Sequence, residues 1–243
     1  MKIDNEKCTG CGICHPYCTV AAIKTMNGMD KSVSVIDQDE CVECGACLRA
    51  DVCPVDALYM PELEWPRSLR EFFSNPVVLH PSTGVPGRGT MEMKTNDVTG
   101  RFRRGEAGVS IEMGRPGVGT SFREIQTVAM ALGKAGIEFE SQNPLASVMV
   151  DRMTGKLKEE VLNEKVLSAI IECKIEIDRL GELLETIKDV THKIDTVFSL
   201  DLICRVNPDG SIPTIDIAKA AGFSPRPNTK TNIGLGRPLK EEA

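Results

Sequence analysis

The chain has 243 residues, of which 41% are hydrophobic and 4% aromatic, and carries a formal net charge of −6. That length sets one or two domains with room for a sizeable core. The acidic balance argues against a polyanion partner, and the few aromatics leave little on which nucleic-acid bases could stack. No stretch approaches the ~20 apolar residues of a membrane helix. The chain opens Met1-Lys2-Ile3-Asp4-Asn5-Glu6 without an apolar run. No secretory signal is therefore expected, and ten cysteines then imply a reducing cytoplasm.

The first elements are two cysteine runs, Cys8-x2-Cys11-x2-Cys14-x3-Cys18 and Cys41-x2-Cys44-x2-Cys47-x5-Cys53, the second followed by Pro54. Three thiolates at this interval wrap three corners of one iron–sulfur cube, while the fourth cysteine points away. Paired zinc sites use two x2 pairs, whereas each run here has a third cysteine at the same interval. A disulfide scaffold needs an oxidising compartment.

Thr9-Gly10, Gly12, Glu43, Gly45 and Cys53-Pro54-Val55-Asp56-Ala57 accompany the runs. Together these residues resemble the bacterial two-cluster ferredoxins over residues 1–60. The resemblance implies two 4Fe-4S clusters and an exchange of fourth ligands between the runs. Cys8, Cys11, Cys14 and Cys53 would hold the first cluster, and Cys41, Cys44, Cys47 and Cys18 the second. Two departures stand out: Thr19 follows Cys18 where the family usually has proline, and five residues, Leu48 to Val52, precede Cys53 where three are common. Both positions still end at cysteine, so reshaped surroundings and two intact clusters are expected. Residues 1–60 hold five Lys and Arg against nine Asp and Glu, a net −4. Such an acidic redox module suits a basic docking patch on a partner, or equally a merely solvated surface.

Within this module Ile23–Met26, Asn27-Gly28 and Ser32–Ile36 read as a hairpin, and Ala57–Met60 as a later strand. Residues 61–89 read as a linker punctuated by prolines, with a short helix over Ser68–Phe73. Trp65, Phe72 and Phe73 are expected to pack on the cluster module.

A second domain is expected over residues 90–206. Val109–Met113 alternates as a strand. Ser121 and Glu124 form a capping box, and Ile125, Val128, Ala129 and Leu132 share one helical face. Ala146–Asp151 reads as the next strand, and Ile171, Cys173, Ile175 and Ile177 alternate as another. Leu180, Leu183, Leu184 and Ile187 make a second helical face, and Phe198–Val206 alternates again. The fold class is α+β: a cluster module followed by a ferredoxin-like βαββαβ plait. Gly114-Arg115-Pro116-Gly117 and Ala135-Gly136-Ile137-Glu138 resemble the small ligand-binding ACT domains. Thr90–Lys94 suggests an extra hairpin strand. Cys173 and Cys204 read as small core residues. Arg101, Arg103 and Arg104 form the densest basic patch. Residues 207–243 read as an extended tail, with a helical turn over Ile215–Ala221, that either wraps a neighbouring subunit or stays disordered.

No nucleophile–base pair and no nicotinamide or flavin fingerprint stands out, so no catalytic residue is assigned. The reading is an electron carrier: the ferredoxin-like subunit of a larger anaerobic oxidoreductase, in a hetero-complex or homo-oligomer with a redox partner. The alternative is a redox- or metabolite-sensing regulatory protein using an ACT-like domain. An enzyme with its own site in the second domain is the third possibility.

Overall fold

The computed structural model describes residues 1–29, 31–86 and 100–226. Among these, no helix is long and apolar enough to cross a membrane.

The first 60 residues are built as a repeat. Strand β1 (Lys2–Ile3) pairs with β4 (Leu58–Tyr59), and β2 (Ile23–Asn27) pairs with β3 (Ser32–Ile36), both antiparallel. Asp4 donates its N–H to the Ala57 carbonyl, and its own carbonyl accepts from Cys8 N–H. Asp37 does the same between Ala22 and Cys41. Each aspartate carboxylate then accepts from the backbone two and three residues on. These Asx turns shape both loops alike. Asn27 pairs with Ser32 inside the hairpin, so the connection begins at Gly28 and the Asn-Gly pair is not its two-residue turn. A small core of Met1, Cys14, Ala22, Ile23, Cys41, Cys47 and Leu58 lies between the halves.

The larger unit centres on a four-stranded antiparallel sheet ordered β12-β5-β11-β7. Its strands are β5 (Glu106–Met113), β7 (Glu138–Phe139), β11 (Ala169–Glu176) and β12 (Phe198–Cys204). Strand β5 is central, with Cys173 opposite Val109 on one side and Leu202 opposite it on the other. Ala107, Val109, Ile111 and Met113 on β5, with Ile171, Cys173 and Ile175 on β11, enter one core. The alternation follows from the period of two. Helices α3 (Phe122–Lys134) and α4 (Leu180–Thr191) bring Ile125, Val128, Leu132, Leu183, Leu184 and Ile187 into it. The Ser121–Glu124 capping box is present. On the other face Phe102 lies so close to Gly108 that an added Cβ would sit 2.6 Å from its ring.

The sheet's second strand differs from the sequence expectation. It is β7, only two residues long. Ala146–Val148 instead belongs to a 3-10 turn, and β8 (Met149–Asp151) pairs apart with β9 (Lys156–Leu157). Pro144 at the start of that turn, together with the Asn143 side chain accepting from Leu145 N–H, favours a helical turn over extension. Strand β6 (Thr120–Ser121) pairs with β10 (Lys165–Val166) in a further short antiparallel ladder. Thr90–Lys94 lies outside the described residues.

Two segments expected to be loose are packed. Helix α2 (Ser68–Ser74) buries Leu69 and Phe73 in the large core. The Phe73 ring meets Phe122 at 5.3 Å and His80 at 5.0 Å, both edge-to-face. Trp65 donates to Glu160 at 3.2 Å, with Lys158 over its ring. Phe72 also packs on the large core. These aromatics therefore pack on the second unit, and not on the cluster module as their position suggested. Residues 213–220 form α5 (Pro213–Ala220), which packs on α4. Ala218 and Ala221 enter the same core, and Lys188 donates to the Ala221 carbonyl at 2.7 Å. This part of the tail is helical and bound to its own chain.

Candidate iron–sulfur centres

Each cysteine run is set by residues that let the backbone turn sharply. Gly10 and Gly12 in the first run, like Glu43 and Gly45 in the second, have positive φ. Ala21 and Asp56 repeat that geometry after Cys18 and Cys53. At Gly10 an added Cβ would lie 2.3 Å from the Ser32 carbonyl oxygen, so glycine is required by space as well as by φ.

Two small pockets open to solvent result, each enclosing a volume of about 20 Å³. Cys8, Cys11, Cys14 and Cys53 line the first, beside Ile3, Ile13 and Ser34. Cys18, Cys41, Cys44 and Cys47 line the second, beside Met1, Tyr17 and Val20. The chain thus brings all eight cysteines into two sets, with Cys18 and Cys53 each facing the cavity of the other run. Among the described residues no three His, Cys, Asp or Glu side chains converge on a single ion.

The sulfurs are approached by hydrogen-bond donors. Gly10 and Ser34 donate their N–H groups to Cys8 Sγ at 3.4 and 3.3 Å. Ala22 donates to Cys18 at 3.0 Å and Ala57 to Cys53 at 3.3 Å, the same contact in each half. Backbone donors aimed at sulfur suit thiolates that carry charge. Burial pushes the Cys14 and Cys41 thiols above their ordinary range, and burial with three neighbouring thiols pushes Cys47 up to about 11. Such sulfurs stay thiolate at neutral pH only when a strongly positive centre binds them, so the donor set fits an iron–sulfur cluster. When bound, that group accepts and releases one electron.

Both departures from the ferredoxin pattern have structural explanations. The Thr19 hydroxyl lies 3.5 Å from Cys44 Sγ, a polar contact that proline could not make. The longer second run carries α1 (Ala46–Arg49), and Asp51 at φ 51° turns the chain back so that Cys53 reaches the first cavity. His15 Nε2 is 3.0 Å from the Ser34 hydroxyl, beside the first cavity.

The other residues weighed from sequence serve structure. Cys173 is a core residue whose thiol burial pushes up to about 12, whereas Cys204 is not in the core as expected: it is half-buried, 3.3 Å from Thr214 Oγ1. Arg101 pairs with Glu140, and Arg104 donates to the Val206 carbonyl at 3.0 Å. Residues that sequence reasoning missed hold the second run from outside. Arg67 donates to Glu43 and to the Gln38 carbonyl, and Arg70 donates to three carbonyls of the same loop. Their distance in sequence, across an apparent linker, hid them.

The profile of the 4Fe-4S dicluster domain matches residues 1–60. A ferredoxin-like protein in the vnf region of Azotobacter chroococcum is 41% identical over 66 residues, which cover 25% of this chain and 92% of that relative. Ferredoxin-1 of Rhodobacter capsulatus is 50% identical over 44 residues, 18% of this chain and 62% of the relative. Ferredoxin-2 of Chlorobaculum tepidum is 39% identical over 59 residues, 22% of this chain and 86% of the relative. No solved structure matches the chain. Through the iron–sulfur module that forms its first 60 residues, the chain belongs to the bacterial-type 4Fe-4S dicluster ferredoxins.

Proposed function

We propose that the protein passes single electrons through two 4Fe-4S clusters, as the ferredoxin-like subunit of a larger cytoplasmic, anaerobic oxidoreductase. Cys8, Cys11, Cys14 and Cys53 hold one cluster in this reading, and Cys41, Cys44, Cys47 and Cys18 the other. The observation that carries it is the sorting of eight thiols into two cavities with the fourth cysteines exchanged. The second unit reads as a ferredoxin-like plait, supported by the strand order β12-β5-β11-β7 and the two helices sharing one core. It has no cysteine set of its own among the described residues, so its role here is to anchor and present the cluster module.

The test is anaerobic purification from the native host. About eight irons and eight acid-labile sulfides per chain, with interacting S = 1/2 signals on reduction, support two cubes. Four irons or stoichiometric zinc would overturn that part. Co-purification with a catalytic subunit supports the complex. A lone homodimer that binds a small metabolite would replace it with the ACT-like regulatory reading.

A further inference from the structure

The two cysteine loops share a feature that sequence does not announce. In the first loop the carbonyls of Asn5, Glu6 and Cys8 all accept from Lys31 Nζ, at 2.7, 3.1 and 3.3 Å. In the second, the carbonyls of Gln38, Asp39 and Cys41 all accept from Arg70 Nη1, at 3.0, 3.1 and 2.8 Å. Asn5, Glu6 and Cys8 correspond to Gln38, Asp39 and Cys41 in the repeat. Each half therefore forms the same three-carbonyl nest beside its first cysteine, and each nest holds one cation.

The cations differ in origin and setting. Lys31 comes from the connection of the β2–β3 hairpin and is exposed. Arg70 comes from α2, is 5% exposed, and belongs to the unit outside the cluster module. Its Nε pairs with Glu164, which leaves Nη1 directed at the cysteine loop. Arg67 beside it is paired with Glu43, which also meets the Met1 amine. Water and salt screen the charge on Lys31, whereas a buried guanidinium acts through a less polarisable medium. A cation favours the more negative, reduced state of a nearby cluster, and local charge is one of the levers that set iron–sulfur potentials.

We propose that Arg70 raises the midpoint potential of the cluster held by Cys41, Cys44, Cys47 and Cys18 above that of the other cluster, so that the first electron rests there. Arg70 is a positioning and tuning residue: it touches the loop carbonyls, not the reacting atoms. The proposal rests on the two-cluster reading above. It also gives the second unit a redox role, since it supplies the cation.

The experiment is a redox titration of the full chain followed by electron paramagnetic resonance, for wild type, Arg70→Gln and Lys31→Gln. The expected result is two resolved potentials in the wild type. Arg70→Gln should lower the higher one and leave the lower one in place, with eight irons retained. Lys31→Gln, a surface change, should move only the lower one, by less. In the wild type, added salt should shift the lower potential and leave the higher one nearly fixed, which tests the idea even if Arg70→Gln fails to fold. One shared potential, an Arg70→Gln shift in the lower potential alone, or a salt shift confined to the higher potential would overturn the proposal. A chain that loads fewer than eight irons as wild type would fail the two-cluster reading instead.

Discussion

Phe73 decides whether the segment between the cysteine module and the sheet is a linker or part of the core. The ring is 2% exposed and stands edge-to-face with Phe122 and His80. Truncating a buried phenylalanine to alanine costs about 3–5 kcal/mol, of which an aromatic pair supplies roughly 0.5–1.5. With two ring partners, Phe73→Ala should lose about 4 kcal/mol. For a unit of this size that is a fall of about 8–16 °C in melting temperature, at roughly 2–4 °C per kcal/mol. Anaerobic thermal and urea unfolding followed by circular dichroism would measure it, with iron absorbance recorded alongside. A residue in a solvated linker would change stability by no more than about 0.5 kcal/mol. A loss below about 1 kcal/mol would refute the packing of α2 described above.

The remaining expectations concern the clusters, acid and the chain's end. Cys53→Ser should impair the cluster of Cys8, Cys11 and Cys14, and Cys18→Ser the other, as read by resonance spectra; damage confined to each residue's own run would show uncrossed ligation. Gly10→Ala should reduce iron loading in the first cavity, because its φ of 70° costs an alanine about 1–2 kcal/mol before the clash with Ser32 is added. Burial pushes the His80 imidazole down to about 4, so the unfolded chain binds the extra proton between pH 6.5 and 4. The stability His80 contributes is then full above pH 6.5 and lost as pH falls towards 4, on the order of 3 kcal/mol; His80→Gln should flatten that part of an acid-stability curve. A fragment of residues 61–226 should fold without iron by circular dichroism, whereas 90–206 should not, because it lacks Leu69, Phe73, Ala218 and Ala221 from the shared core.

What the sequence determined by itself was the chemistry and most local structure. Three cysteines at x2 spacing, flanked by glycines with positive φ, specify a cluster loop through contacts only a few residues apart. The capping box at Ser121 and the apolar stripes of α3 and α4 are equally local, so periodicity revealed them. Tertiary structure decided the rest. Prolines made residues 61–89 read as a linker, yet two helical turns holding Leu69 and Phe73 suffice to join a core when the opposing surface is preformed. The same holds for Ala218 and Ala221 in the tail. Strand β7 is too short for any alternation to show, and it exists because Cys173 and Lys174 on β11 offer it an unpaired edge. The meeting of Arg70 with three carbonyls 29 to 32 residues away depends on how two separately patterned units dock. Periodicity reports which face of an element is apolar, but not which charged side chain will be buried against another unit's backbone.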